Sequence, residues 1–197
     1  IEELRFADGS VRTYEQLLQQ LYTGGSGDDV LADDSGSNTI NAGDGNDAVS
    51  AYWGNDRIIG GRGNDTLNGG GDNDVYVFNR GDGQDVITDR RDDWDFYSGG
   101  NDAIEFGAGI SWSDLILTSS GNDLVIRITG TDDRLRIVNG FTDVNYRVEE
   151  LRFADGSIKT FVDIQAQVSA ADRTGLTQTG QASDGSMIGT AADEALN

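Results

Sequence analysis

Residues Gly24 to Val77 read GGSGDDVLA, DDSGSNTIN, AGDGNDAVS, AYWGNDRII, GGRGNDTLN and GGGDNDVYV, six blocks of nine in one register. The shared template is Gly-Gly-x-Gly-x-Asp-x-U-x, with U a large apolar residue. Glycine at positions one, two and four reaches backbone angles that strain other residues. Each block therefore opens with a tight turn that aims several carbonyl oxygens one way, and the Asp at position six sets a carboxylate beside them. The last three residues form a short strand, with U pointing inward and its neighbours outward. The inward positions are Leu31, Ile40, Val49, Ile58, Leu67 and Tyr76. Two blocks make one coil, so U residues nine apart face each other and those eighteen apart stack on one wall. The pattern predicts an all-β fold built on a parallel β-roll.

A turn rich in carbonyls and carboxylates suits calcium, a hard cation that takes six to eight oxygens in flexible geometry, and suits zinc poorly. Position six holds Asp29, Asn38, Asp47, Asp56, Asp65 and Asp74. An ion between stacked turns draws on blocks two apart, pairing Asp29 with Asp47, Asn38 with Asp56, Asp47 with Asp65, and Asp56 with Asp74. The Asn38 site lacks one charge, and its turn starts Asp33-Asp34 in place of Gly-Gly, so it is expected to be the weakest or empty. The register resumes after a two-residue slip at Phe78-Asn79: RGDGQDVIT, 80–88, offers Asp85 as partner to Asp65, a fifth site. Gly100-Asn101-Asp102-Ala103-Ile104 is an eighth partial match. Gly121-Asn122-Asp123 repeats the triplet between two strands, where it reads as a hairpin turn. Asp89-Arg90-Arg91-Asp92-Asp93-Trp94-Asp95 reads as a solvated loop of mixed charge, with a further cation site at Asp92, Asp93 or Asp95 as the lesser reading.

The composition agrees. The 197-residue chain has 14 basic and 35 acidic residues, a net charge of −21, and 36% hydrophobic residues. Its field repels nucleic acid and anionic membrane and attracts divalent cations; four ions would bring the charge to about −13. One apolar side chain per block is too little to offset the entropy of ordering nine residues, so metal ligation and folding are expected to be one event. There is no Cys, His or Pro. Disulfides, thiol chemistry, ordinary zinc sites and serine-type triads are thereby excluded. No apolar run is long enough to span a bilayer, and the first residues do not form a signal peptide. They read as a cut inside a longer protein.

A longer repeat frames the blocks. IEELRFADGSVRT at 1–13 recurs as VEELRFADGSIKT at 148–160, with ten of thirteen positions identical and an offset of 147 residues. Residues 1–23 are therefore expected to be the tail of a preceding module, a hairpin plus a helix over 14–22 that caps the roll. In that helix Thr13 and Gln16 form a capping box, and Tyr14, Leu17, Leu18, Leu21 and Tyr22 recur at helical spacing. Residues 24–88 are the roll. Residues 89–168 form a flanking antiparallel β-module, with strands at 115–117, 124–128, 134–138 and 148–153 and a terminal helix begun by Thr160 and Asp163. Residues 169–197 read as a linker and the start of a next block.

These residues resemble the RTX (repeats-in-toxin) family of exported bacterial proteins over Gly24 to about Thr88. GGSGDDVLA and GGRGNDTLN match the family's nonapeptide in full. Asn101 to Asp163 is similar to the haemolysin-type calcium-binding-related domain, through Asp114-Leu115, Gly121-Asn122-Asp123-Leu124, Asn139-Gly140-Phe141 and Phe153-Ala154-Asp155-Gly156. The resemblance implies a calcium-bound β-roll, about three to five ions, passage through a type I secretion system, and folding outside the cell, on the surface or in the medium. It also implies ligand sets. Gly25, Gly27 and Asp29 would face Ala42, Asp44 and Asp47. Gly43, Gly45 and Asp47 would face Gly60, Arg62 and Asp65. Tyr52, Gly54 and Asp56 would face Gly69, Gly71 and Asp74. Gly61, Gly63 and Asp65 would face Arg80, Asp82 and Asp85. Tyr52 and Asp72 replace turn glycines, and the Asp72 turn is expected to be distorted.

The leading reading is a structural, metal-binding module and not an enzyme. The alternative is an adhesin-type module whose β-part binds a surface glycan or a protein, with Trp53, Trp94 and Trp112 as stacking residues. A carboxylate-pair glycosidase is a distant third, because the nonapeptide or a turn accounts for almost every Asp.

Overall fold

A computed structural model describes residues 3–13, 16, 22–33, 36–89 and 100–169. The expected linker at 169–197 lies almost wholly outside them, and so does the mixed-charge run Asp89–Asp95, of which only Asp89 is described. Fifteen strands are described. Hairpin β1 (Glu3–Arg5) and β2 (Val11–Thr13) comes first. The roll follows as β3 (Val30–Ala32), β4 (Thr39–Asp44), β5 (Ala48–Ser50), β6 (Arg57–Arg62), β7 (Thr66–Asn68), β8 (Val75–Phe78) and β9 (Gln84–Ile87). Then come β10 (Ala103–Phe106), β11 (Leu115–Ser120), β12 (Asp123–Ile128), β13 (Arg134–Ile137), β14 (Glu150–Arg152) and β15 (Ile158–Thr160). Helix α1 covers 161–169.

Alternate blocks feed opposite walls. One sheet has the order β15-β14-β10-β8-β6-β4 and the other β11-β12-β13-β9-β7-β5-β3. Within the roll all pairs are parallel. Leu31, Val49, Leu67 and Ile87 stack on one wall, and Ile40, Ile58, Tyr76 and Ile104 on the other. This is the roll that the nonapeptide spacing predicts. Ile40, Ile58 and Ile87 are fully buried, whereas Leu31 on the first coil is only partly covered.

Both sheets run on past residue 89. β10 adds to β8 and β13 adds to β9, each in parallel. Of the four flanking strands expected from sequence, three form the antiparallel meander β11-β12-β13. The fourth, β14, lies on the opposite wall, parallel to β10 and antiparallel to β15. Its Leu151 falls in register with Ile104 and continues that wall's apolar stack. Gly121-Asn122 is the expected turn, with Ser120 opposite Asp123.

The ends are closed by apolar side chains. Of the predicted helix 14–22 only Gln16, which is helical, and Tyr22, which sits in a turn, are described. The capping box is formed: the Thr13 N–H donates to Gln16 Oε1 (3.1 Å) and the Gln16 N–H to Thr13 Oγ1 (3.2 Å). Tyr22 is buried against the first coil. At the far end α1 buries Phe161, Ile164 and Val168 at helical spacing, and Phe153 stacks on Phe106 with ring centroids 5.3 Å apart.

Candidate metal centre

The turns form two columns along the edges of the roll. Turns 24–29, 42–47, 60–65 and 80–85 lead into one sheet, and turns 33–38, 51–56, 69–74 and the segment ending at Asp102 lead into the other. In the first column the backbone N–H of Asp29 donates to Asp47 Oδ1 (2.8 Å), that of Asp47 to Asp65 Oδ1 (2.9 Å) and that of Asp65 to Asp85 Oδ1 (3.0 Å). In the second the N–H of Asn38 donates to Asp56 Oδ1 (2.8 Å) and that of Asp56 to Asp74 Oδ1 (2.8 Å). All five position-six pairs expected from spacing are therefore neighbours, including the Asp65–Asp85 pair across the two-residue slip.

One oxygen of each interior carboxylate is thus engaged. The other Oδ2 atoms of Asp47, Asp65 and Asp74 are buried without a hydrogen-bond partner. These side chains are at most 2% exposed, and an unpartnered buried carboxylate oxygen is costly. Asp65 Oδ2 lies over Gly60 and Asp74 Oδ2 over Gly69, where a Cβ would collide with them. The carboxylates thus lean into the glycine turns, beside the carbonyls. A cation is what this donor set lacks, and oxygen-only donors suit calcium. Asp29, on the outermost coil, instead accepts the Gly25 N–H (2.7 Å).

The candidate carbonyls partly bond to one another's turns. Those of Gly25, Tyr52 and Gly63 accept from Asp44 (2.9 Å), Gly71 (2.8 Å) and Gln84 (3.3 Å). Those of Arg62 and Asp82 accept from Gly45 (2.8 Å) and Gly63 (2.7 Å). A carbonyl oxygen has two lone pairs, so each keeps one. Gly27, Gly45, Gly54, Gly69 and Gly71 lie outside the strands as expected, whereas Ala42 and Gly43 are drawn into β4 and Gly60 and Gly61 into β6, with Gly43 paired to Gly61 and Asp44 to Arg62. The Arg80 guanidinium points away, donating to the carbonyls of Gly109 and Thr129 (both 3.0 Å). The Asp82 carboxylate accepts from the Asn79 N–H (2.7 Å) and its side-chain amide (3.0 Å), and its charge still reaches Asp65 and Asp85. Among the described residues no three acidic side chains converge as a preformed cluster; a bound ion would rest mainly on backbone oxygens.

Two expectations meet a more specific geometry. The Asn38 amide donates to Asp33 Oδ1 and to the Gly36 carbonyl, both at 2.9 Å. An N–H donor thus serves oxygens that elsewhere lack one. The Tyr52 and Asp72 turns keep the left-handed backbone of the glycines they replace, with φ of 65° and 72°. Tyr52 reaches this by turning its ring outward, half exposed. The Asp72 turn is strained in φ, yet its Oδ2 accepts the Gly54 N–H (3.3 Å), so the column stays in register.

Three features lie beyond the sequence reading. The second column continues: the Asp74 N–H donates to Asp102 Oδ1 (2.8 Å) and the Asp102 N–H to Glu149 Oε2 (2.9 Å). The partial match at 100–104 signalled Asp102; nothing signalled Glu149. Position five forms its own ladder, in which Asn64 donates to Asn46 Oδ1 (2.9 Å) and Asn73 to Asn55 Oδ1 (2.9 Å). The recurrent Asn-Asp dipeptide carried that signal. Asp89 opens a run that reads as solvated but is itself buried, because the Tyr76 hydroxyl donates to it (2.8 Å) inside the roll. Of the tryptophans, Trp94 lies outside the described residues, and Trp112 packs edge-on against Phe153 beneath Lys159.

Burial, only partly offset by the backbone donors, raises these carboxyls: Asp65 to about 6, Asp74 and Asp85 to about 8, and Glu149 to about 7. Neighbouring carboxylates add to each shift. Raised folded values mean that the metal-free fold binds more protons than the unfolded chain. The stability these four carboxyls contribute is fully present below about pH 4 and is lost as pH rises through 6 to 8. In chelator the melting temperature should therefore fall between pH 5 and pH 8.5. Calcium competes with the same protons, so its affinity should rise over that interval; thermal melts and titrations at the two pH values check both signs.

The family profiles that match the chain fit this geometry. A profile described as the RTX calcium-binding nonapeptide repeat (4 copies) matches residues 23–56 and 50–87. These are RTX repeats. The haemolysin-type calcium binding protein related domain matches 123–160, beside the RTX block. The iron-regulated protein FrpA of Neisseria meningitidis serogroup C is 38% identical over 120 residues, 57% of this chain and 10% of that protein. The chain thus spans about a tenth of the length of this curated relative. The solution structure of the AlgE6R3 subunit from the Azotobacter vinelandii mannuronan C5-epimerase is 24% identical with a TM-score of 0.41, over 85% of this chain and 90% of that one.

Proposed function

We propose that the chain is a calcium-dependent folding module of a larger exported protein. The observation that carries this reading is the column of buried, unpartnered carboxylate oxygens leaning into carbonyl-rich turns. Ions held between Asp29 and Asp47, Asp47 and Asp65, Asp56 and Asp74, and Asp65 and Asp85 would each supply the missing partner. The Asn38–Asp56 step is the weakest or empty, since the Asn38 amide already serves its turn. The total is three to five ions. Calcium is scarce inside cells and plentiful outside, so the chain would cross a type I secretion system unfolded and set on arrival. Its role is structural and metal-binding. Calorimetric titration of the full chain at pH 7.5 tests this. Three to five calcium ions should bind with a concurrent gain of β-structure by circular dichroism. Fewer than two ions, or binding without added β-structure, would contradict it.

A second reading rests on a groove of about 430 Å³ between the end of β10 and the β14–β15 hairpin, lined by Phe106, Ala108, Phe153 and Ile158 with Glu105 and Arg152 at its rim. It is where the adhesin alternative would place a glycan or peptide. A glycan array with the calcium-loaded chain separates the two.

A further inference from the structure

The thirteen-residue repeat folds twice into the same object. Glu3, Leu4 and Arg5 pair with Thr13, Arg12 and Val11, and 147 residues on, Glu150, Leu151 and Arg152 pair with Thr160, Lys159 and Ile158. Phe6 donates to the Ser10 carbonyl (2.9 Å) as Phe153 does to that of Ser157 (3.0 Å). Asp8 accepts the Ser10 N–H (2.9 Å) as Asp155 does that of Ser157 (2.8 Å). The Arg5–Glu3 contact repeats as Arg152–Glu150.

The two copies differ in what covers them. β14 lies on β10, so Leu151 is 0% and Phe153 5% exposed. Their counterparts Leu4 and Phe6 are 40% and 49% exposed. Among the described residues the β1–β2 hairpin forms a sheet of its own, and no roll strand pairs with it. An isolated two-stranded hairpin is marginal in water, and a paired Leu and Phe on one face are a surface shaped for burial.

We propose that β1–β2 is a docking element whose occupant is the end of another roll of this same type. It would lie parallel on a strand equivalent to β10, with Leu4 against the residue matching Ile104 and Phe6 stacked on the residue matching Phe106. Arg5 then stands opposite an acid, as Arg152 stands opposite Glu105. Burying one shared hairpin per junction links 147-residue units end to end into a continuous array.

The test uses the full chain in calcium. Leu151→Asp unseats the internal hairpin and leaves the β10 edge open to a second copy. The chain has no cysteine, so Arg5→Cys with Glu105→Cys in that background reports only this contact. The expected result is disulfide-linked head-to-tail oligomers, lost when Leu4→Asp is added. A 148–168 peptide carrying Arg152→Cys serves as the control for an open edge. No oligomers while that peptide still links would overturn the proposal. Should the peptide fail too, Val148→Ile with Ile158→Val and Lys159→Arg decides, because it writes the first hairpin's sequence into the docked position. A melting temperature within about 4 °C of the parent supports a competent cap, and a larger loss overturns it.

Discussion

Asp74→Asn lowers the melting temperature in calcium and raises it in chelator. The amide keeps an oxygen where Asp74 Oδ1 accepts the Asp56 N–H, so the backbone ladder survives in both states. What changes is Oδ2, buried and unpartnered without an ion. In chelator the substitution removes a carboxylate that burial has pushed to about 8, a gain of about 1–3 kcal/mol, or roughly 2–12 °C for a domain of this size. In calcium it removes one of the two charges that would face the proposed ion. Breaking a buried charge pair costs about 3–5 kcal/mol, roughly 6–20 °C. A purely structural Asp would shift both melts in one direction. Scanning calorimetry with and without calcium distinguishes the cases by sign.

Gly63→Ala prevents the roll from closing, while Gly27→Ala, at the same position of the nonapeptide, is nearly silent. Gly63 has φ of 141°, and a Cβ there would overlap the Gly45 carbonyl oxygen of the turn below. That carbonyl is backbone of the packed column and has no room to move, so strain and collision together cost about 4 kcal/mol or more. Gly27 lies on the first coil with no neighbour within 4 Å of a Cβ, and Ala there should stay within about 0.5 kcal/mol. Chemical denaturation in calcium measures both.

The contrast between those two glycines shows where the sequence was legible. The nine-residue period carries wall assignment, inward residues and position-six pairs, because a parallel coil repeats one geometry and the register converts spacing into contact. It carried Asp85 across a two-residue slip for the same reason. It did not carry Glu149, which lies just before β14, outside the nonapeptides, and joins the column only through the β10–β14 pairing. Nor did it carry Asp89, since charge in a polar run looks solvated until a buried phenol is placed beside it. The division of the flanking strands between two walls was equally hidden. Alternation identifies a strand and its buried face but not its partner, and Leu151 joins the Ile104 wall by tertiary packing alone.

Hydrogen exchange on the full chain, in millimolar calcium and again in excess chelator at pH 7.5, tests the central claim most directly. The amides of Asp47, Asp56 and Asp65 donate to the carboxylates of the next coil. The account predicts that they are strongly protected with calcium and lose most of that protection without it. Equal protection in both conditions would show that the roll stands on its apolar stack alone and would contradict the account.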